Sequence, residues 1–141
     1  MIYLTFFLSL FLHFNLAQGS LGQVYPQKAQ SSPQPCFDLI ERVEGPVTIR
    51  EYVKNNGKVF AISWKGASMR SAKLDIWLGA YAKGYQTALS KEPRRRKRTL
   101  MLEVNNLNVV RSKTRKMHRG KAWDSSEVPT CMAPEDIQYP L

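Results

Sequence analysis

The chain holds few of the residues on which metal sites depend. Among its 141 residues there are two histidines, His13 and His118, and two cysteines, Cys36 and Cys131. Zinc sites in proteins place Cys or His ligands in pairs at short spacings, and the sequence contains no such pair. It also lacks a glycine-rich phosphate loop. We therefore predict no metal site and no cofactor.

Residues for nucleophilic catalysis are equally scarce. A serine or cysteine nucleophile needs a base that accepts its proton and a third group that orients the base. His118 is the one histidine after the N-terminal apolar run, and the residues near it in sequence include Asp124, Ser112, Ser125 and Ser126 without a glycine nucleophile elbow. The eleven acidic residues contain no pair that stands out for glycoside chemistry. The sequence predicts a protein that is not an enzyme.

Long hydrophobic runs are absent except at the N-terminus. Residues 2–12 carry no charge and lead towards Ala17-Gln18-Gly19. An apolar run followed by small residues is typical of a signal peptide, whereas a transmembrane anchor needs about 20 apolar residues. Because no Lys or Arg precedes the run, an uncleaved anchor stays the alternative. We predict a signal peptide over residues 1–19, cleavage after Gly19, and a periplasmic or secreted mature chain without a transmembrane segment.

The two cysteines lie near the two ends of the predicted mature chain. Export would place Cys36 and Cys131 in an oxidising compartment, where disulfides persist. A bond between them would close a loop of 94 residues and would stabilise the fold by up to about 4 to 5 kcal/mol in the chain-entropy model. Two separate thiols, or pairing with another chain, are the alternatives. We predict the intramolecular disulfide.

The net charge of +10 is unevenly distributed. Residues 91–121 hold twelve basic and two acidic side chains, whereas residues 122–141 hold four acids and no base. Such a cluster indicates contact with a polyanion, for example lipid headgroups or an acidic polysaccharide, or it serves solubility alone. Export argues against nucleic acid as a partner in the cell. The candidate anion-binding residues are Arg94, Arg95, Arg96, Lys97, Arg98, Arg111, Lys113, Arg115 and Lys116.

The remaining chain divides into a leader and one domain. Residues 20–35 are rich in Gln, Ser and Pro, a composition that predicts a flexible leader. Residues 36–141 have the length of a single small domain.

A first hairpin is predicted over residues 47–64. Apolar residues alternate on both sides of Asn56-Gly57, the dipeptide that favours a two-residue type I′ turn. This turn would place Val53 opposite Phe60. It would also place Glu51 on the apolar face, which indicates either an edge position or a register shifted by one residue.

An amphipathic helix and a second hairpin follow. Apolar residues at three- and four-residue spacing predict a helix over residues 72–89, although Gly79 and Gly84 each cost about 1 kcal/mol relative to Ala. The helix therefore needs tertiary support or makes a close approach at these glycines. We interpret its aromatic residues, together with Trp64, as core rather than as a ligand groove.

The second hairpin covers residues 100–110 and turns at Asn105-Asn106, and a last strand is expected near residues 117–123. The predicted fold class is α+β: an antiparallel sheet made of a hairpin, one amphipathic helix and then two or three further strands. In a loose sense this arrangement is cystatin-like.

Several segments resemble an exported bacterial family known as domain of unknown function 2844. The resemblance is carried by Thr48–Val53, Gly57–Phe60, Ser63–Gly66, the helix around Tyr81 and Tyr85, and His118–Ala122 followed by Val128-Pro129. It covers residues 36–138. Ala67 replaces an expected proline, and residues 94–98 look like an insertion. The resemblance implies a bacterial envelope or secreted protein, and it implies no activity and no site residues.

Two functional hypotheses follow from these patterns. The first is a noncatalytic exported protein that binds an anionic envelope component or a protein partner through residues 94–121. The alternative is an accessory or structural protein of a surface or export assembly, in which an exposed strand edge pairs with a partner.

Overall fold

The structure is a computed structural model that describes residues 20–25, 32–33, 36–68, 71–93 and 98–141. The predicted signal peptide lies outside the described residues. Within these residues, no helix combines the length and the apolar character that crossing a membrane requires.

Within the described ranges, seven antiparallel strands form one sheet in the order β1-β2-β3-β4-β7-β6-β5. The strands are β1 (Ser32–Pro33), β2 (Phe37–Glu44), β3 (Val47–Lys54), β4 (Val59–Gly66), β5 (Thr99–Val104), β6 (Leu107–Lys113) and β7 (His118–Asp124). Between β4 and β5 lie α1 (Ser71–Leu78), a 3-10 turn (Gly79–Tyr81) and α2 (Ala82–Lys91). The predicted α+β class and antiparallel sheet are confirmed, and the likeness to cystatins stays a prediction.

Strand β2 was not predicted from the sequence, whose first expected strand begins at residue 47. It pairs with β3 along its whole length, from Phe37 opposite Lys54 to Glu44 opposite Val47. Its side chains on the helix side of the sheet include Arg42 and Glu44 as well as Ile40. Because charged residues interrupt the alternation of apolar and polar residues, the usual signal of a half-buried strand is missing.

The turn of the first hairpin has three residues instead of the predicted two. The Gly57 N–H donates to the Lys54 carbonyl at 2.8 Å, and the Lys54 N–H donates to the Lys58 carbonyl at 2.9 Å. Gly57 has a φ of 85°, which suits the last position of a type I turn that closes with a bulge. Asn55 therefore joins the loop.

The longer turn changes the register at one end of the hairpin only. Val53 lies opposite Val59 rather than the predicted Phe60, and the ladder shifts between Tyr52 and Val53. Farther from the turn the predicted pairs are confirmed, including Glu51 opposite Ile62. Glu51 thus lies on the apolar face of a central strand, not at an edge.

Residues 20–25 differ from the flexible leader that their composition predicts. Leu21 is fully buried, and its N–H donates to the Trp77 carbonyl at 2.8 Å. The Gly22 N–H donates to the Val59 carbonyl at 2.8 Å. These backbone hydrogen bonds and the burial of one leucine offset the conformational entropy lost when this short segment, which has no periodic pattern, becomes ordered.

The predicted single helix is interrupted at Gly79. This residue has a φ of 55°, a conformation that favours glycine, and a Cβ atom there would lie 2.8 Å from the Ser20 Oγ. The predicted close approach is therefore confirmed at Gly79. Trp77 and Tyr85, on α1 and α2, are each 1% exposed, which confirms their interpretation as core.

The sheet is covered on both faces. The helices cover one face, with a core that includes Leu21, Ile49, Trp64, Leu74, Trp77, Leu78, Tyr85 and Val109. The C-terminal segment covers part of the other face, where Ile137 packs with Tyr52, Phe60 and Ala61. The Cys36–Cys131 disulfide joins this segment to the start of β2, and the predicted disulfide is confirmed.

Gly120 on β7 lies against the indole ring of Trp64. A Cβ atom at position 120 would lie 2.3 Å from Cζ2 of that ring, which packs on Trp77 with 6.1 Å between ring centroids. We expect Gly120→Ala to lower the free energy of unfolding by about 1–3 kcal/mol in urea denaturation. Gly84→Ala is the control: its Cβ would lie 3.5 Å from Val104 Cγ1, so we expect a gain of about 1 kcal/mol. Equal changes in the free energy of unfolding for Gly120→Ala and Gly84→Ala would contradict the packing of Gly120 against Trp64.

Candidate anion-binding site

The two basic segments predicted from the sequence meet at one end of the sheet. At that end, Lys113 on β6 pairs with His118 on β7, and His118 pairs with Gly66 on β4. On the other side, the Lys113 N–H donates to the Arg98 carbonyl at 2.9 Å. We call the resulting surface the basic end; it consists of Arg98, Arg111, Lys113, Arg115, Lys116 and His118.

The β6–β7 turn presents Arg115 and Lys116 to solvent. Thr114 donates its N–H to the Met117 carbonyl at 2.8 Å, and the Met117 N–H donates to Thr114 Oγ1 at 3.1 Å. These bonds hold the turn, and both cationic side chains between them are exposed. Two charges therefore extend beyond the edge of the sheet at its basic end.

The cations of the basic end differ in their ion pairing from the cations elsewhere in the described part of the chain. Every ion pair among the described residues involves Arg42, Arg50, Lys54, Lys58 or Lys73. Over the described part of the chain, no carboxylate forms an ion pair with Arg98, Arg111, Lys113, Arg115 or Lys116. Among the residues that the structure describes, the positive charge of this surface is thus uncompensated, whereas Arg42, Arg50 and Lys54 on β2 and β3 each have a carboxylate partner.

His118 reports the positive potential of the basic end. Partial burial lowers the pKa of its imidazole, and the neighbouring Lys113 and Arg111 cations lower it further. Arg111 is itself positioned by an aromatic contact, because its guanidinium lies 5.9 Å from the centroid of the Tyr85 ring. His118 lies within the predicted basic segment but is not among the candidate anion-binding residues, and its pairing with Lys113 of β6 places it at the basic end.

Two cations of the same sequence region lie on the opposite face of the sheet. Arg119 stacks over the Tyr139 ring at 5.1 Å, and Lys121 donates to the Ile137 carbonyl at 3.2 Å. These two cations of the segment 94–121 therefore do not share a face with Arg111 and Lys113. Arg111 pairs with Gly120, and neighbours of Gly120 along β7 point to the other face. The predicted residues Arg94–Lys97 lie outside the described residues.

The residues considered for catalysis do not come together. His118 and Asp124 lie at the first and last positions of β7, about 20 Å apart at the rise of a strand. Asp124 instead accepts hydrogen bonds from the Ser126 N–H at 2.9 Å and from the Tyr81 hydroxyl. Burial and the Asp124 carboxylate raise the pKa of Tyr81 to about 12. This cluster joins the helical segment to the sheet.

No group of His, Cys, Asp and Glu side chains in the described part of the chain is arranged to hold a metal ion. The absence of enzymatic activity stays a prediction.

Comparison with known proteins identifies a family. The model of a family described as "Protein of unknown function (DUF2844)" matches residues 17–137, so the resemblance seen in the sequence is confirmed. The matched region includes the whole basic end. No curated protein and no solved structure matches the chain.

Proposed function

Since the chain belongs to the DUF2844 family, whose function is unknown, we propose that it is an exported, noncatalytic protein that binds an anionic envelope component through its basic end. The observation that carries this proposal is that Arg98, Lys113, Arg115 and Lys116 have no carboxylate partner among the described residues. A cation without a protein partner keeps its full attraction for an external anion, and clustered cations release counterions when a polyanion binds.

The spacing of these charges supports a linear or planar ligand. Arg98 directly precedes β5 and lies opposite Lys113 of β6, whose N–H donates to the Arg98 carbonyl. The β6–β7 turn carries the next two charges just beyond them. A polyanion with regularly spaced phosphate, sulfate or carboxylate groups can meet several of these cations at once. A single small anion would use only part of the surface.

The confirmed disulfide supports the exported part of the proposal. Disulfides persist in oxidising compartments and are rare in the cytosol, and Cys36 and Cys131 form one. The predicted signal peptide over residues 1–19 agrees with that location. An exported basic protein encounters anionic lipid headgroups and acidic polysaccharides, which fixes the class of ligand to test first.

A matched pair of triple variants tests the proposal. Lys113→Ser, Arg115→Ser and Lys116→Ser together remove three charges from the basic end. Lys54→Ser, Lys58→Ser and Lys83→Ser remove three charges elsewhere, the first two at the opposite end of β3 and β4. We expect the first variant to bind heparin, and vesicles containing phosphatidylglycerol, about tenfold more weakly, while the second stays within about twofold. Equal losses would mean that only net charge matters and would overturn the proposal.

The titration of His118 gives an independent test. A bound polyanion would neutralise Lys113 and Arg111, which lower the pKa of His118 in the free protein. We therefore expect this pKa to rise when heparin is added. The measurement is an NMR titration of the His118 imidazole signals across pH, with and without heparin. A pKa that does not move would place the ligand away from the basic end.

A further inference from the structure

A second group of cations lies on the face of the sheet that the C-terminal segment, residues 128–141, partly covers. Lys65 on β4 lies directly opposite Arg119 on β7, and Lys121 follows Arg119 on the same face. Like charges directly opposite one another on neighbouring strands are destabilising. Among the described residues, none of these three forms an ion pair. We call Lys65, Arg119 and Lys121 the far-face cations.

The carboxylates on this face do not neutralise the far-face cations. Glu41 forms its ion pair with Arg50, at 2.8 Å, and Glu103 lies on β5, two strands away from β7. Glu135 and Asp136 belong to the C-terminal segment itself. If the segment leaves the sheet, it takes these two carboxylates with it, and the face that remains is more positive.

The C-terminal segment contacts two of the far-face cations through neutral groups. The Lys121 Nζ donates to the Ile137 carbonyl at 3.2 Å and to the Pro134 carbonyl at 3.4 Å. The Arg119 guanidinium lies over the Tyr139 ring, 5.1 Å from its centroid. Carbonyl groups and an aromatic ring hold these cations but leave their net charge, so an anion in the same place would also neutralise them. The segment therefore occupies a position that an anionic ligand could take.

The C-terminal segment lies on the sheet but is not part of it. Within residues 128–141, all of which the structure describes, the 3-10 turn Pro134–Asp136 is the one regular element. The segment is held by side chains of the sheet: Ser63 Oγ donates to the Gln138 carbonyl at 2.7 Å, and the Gln138 N–H donates to the Tyr52 hydroxyl at 2.8 Å. Ile137, 2% exposed, is its apolar anchor. The segment can therefore leave without breaking a strand ladder.

The disulfide is the covalent part of this attachment, and it is open to attack. Cys131 is exposed and Cys36 is half-buried, and exposed disulfides are reduced more readily than buried ones. A thiolate of an external dithiol attacks the Cys131 Sγ, forms a mixed disulfide and releases the Cys36 thiolate. The second thiol of the dithiol then displaces Cys131. The dithiol is thereby oxidised to its disulfide, and the two cysteines take up the two protons that it loses.

We propose that the C-terminal segment is an autoinhibitory cover, released when a dithiol reduces the disulfide, and that the far-face cations then bind a polyanion. Arg119 follows His118 at the start of β7, so the uncovered surface continues the basic end, and one polyanion can contact both. The inference rests on the ligand class of the proposed function, but it does not rest on binding at the basic end.

Amide hydrogen exchange of the whole chain, with and without dithiothreitol, tests the release. We expect reduction to speed the exchange of the Gln138 N–H about tenfold or more, while amides inside β4 and β7 keep their protection. Unchanged exchange at Gln138 would overturn the proposal. Loss of protection across the sheet would also overturn it, because the disulfide would then hold the whole fold rather than the cover.

Heparin affinity tests the binding surface. Reduction should raise the affinity of wild type about tenfold and should steepen the slope of log affinity against log salt by about two to three. In the variant Lys65→Ser, Arg119→Ser, Lys121→Ser, the gain on reduction should fall below about twofold. A full gain in this variant would place the additional binding elsewhere and overturn the proposal.

Two further variants separate the cover from the disulfide and from the basic end. Ile137→Ala removes the apolar anchor with the disulfide intact, so heparin affinity should rise about threefold without reductant; an affinity equal to that of wild type would contradict masking by the segment. Lys113→Ser, Arg115→Ser, Lys116→Ser should keep the tenfold ratio of reduced to oxidised affinity. Its weaker binding tests the proposed function, whereas the ratio tests the cover, so the two proposals can fail separately.

Discussion

Replacing Arg42 with leucine is expected to lower the free energy of unfolding by about 3–5 kcal/mol near pH 7. The side chain of Glu51 is fully buried, and the Arg42 Nε donates to its Oε1 at 3.0 Å. Tyr25 is a further hydrogen-bonding partner of the carboxylate, but it carries no charge. Without Arg42 a buried carboxylate would lose its counterion, and this loss is far more costly than the loss of an exposed pair.

Glu44 loses one partner in this variant but keeps two others. Arg42 also forms an ion pair with Glu44, which in addition accepts from Trp77 Nε1 at 3.2 Å and contacts Lys73 Nζ at 3.7 Å. The loss is therefore concentrated on Glu51. Arg50→Leu is the matched control, because the side chain of its partner Glu41 is 46% exposed. We expect the loss of that ion pair to lower the free energy of unfolding by about 1 kcal/mol or less.

The destabilisation by Arg42→Leu should depend on pH. Burial raises the pKa of Glu51 above its ordinary value of 4.5, although Arg42 and Tyr25 oppose the rise. A raised pKa means that the folded state binds the proton more tightly, so stability falls as pH rises from 4.5 through the folded pKa. Without Arg42 this pKa rises further. Urea denaturation should show a smaller difference in the free energy of unfolding between wild type and Arg42→Leu near pH 5 than near pH 7. The same difference at both pH values would contradict this account.

Removing the disulfide should lower the free energy of unfolding about as much as Arg42→Leu does. We expect Cys36→Ser with Cys131→Ser to lower the free energy of unfolding by about 2–5 kcal/mol. The bond joins residues 95 apart in the chain, so reduction frees most of the chain in the unfolded state. It also holds the C-terminal segment, whose Gln138 carbonyl accepts from Ser63 Oγ at 2.7 Å. The measurement is guanidinium denaturation of oxidised wild type against the variant.

Reducing conditions provide the control for this variant. Dithiothreitol should lower the stability of wild type to that of the double serine variant and should leave the variant unchanged. Equal denaturation midpoints of oxidised wild type and variant would contradict a stabilising role for the disulfide.

Local patterns in the sequence were sufficient for the positions of the second hairpin and of the helical segment, although not for the interruption of the helix at Gly79. Their apolar residues recur at periods of two or about four residues, and Asn105, with a φ of 54°, takes the left-handed turn position as Asn readily does. The same reasoning failed where packing depends on distant residues. Leu21 is buried by Trp77 and its neighbours, and β2 presents charged residues to a polar network rather than an apolar alternation.

The candidate site could be predicted from the sequence only where it depends on local strand pairing. The second hairpin places Arg98 beside Lys113, so the adjacency of the two basic segments follows from local pairing. The positions of Arg119 and His118 depend on the register between β6 and β7, which no turn signal in the sequence determines. One residue of register decides which face a strand side chain occupies.

The salt dependence of heparin binding tests the central claim most directly. Affinities of wild type and of the Lys113→Ser, Arg115→Ser, Lys116→Ser variant would be measured over a series of salt concentrations. If the basic end binds the polyanion, the slope of log affinity against log salt should be shallower in the variant by about one for each lost contact, two to three in all. Identical slopes would contradict binding at the basic end.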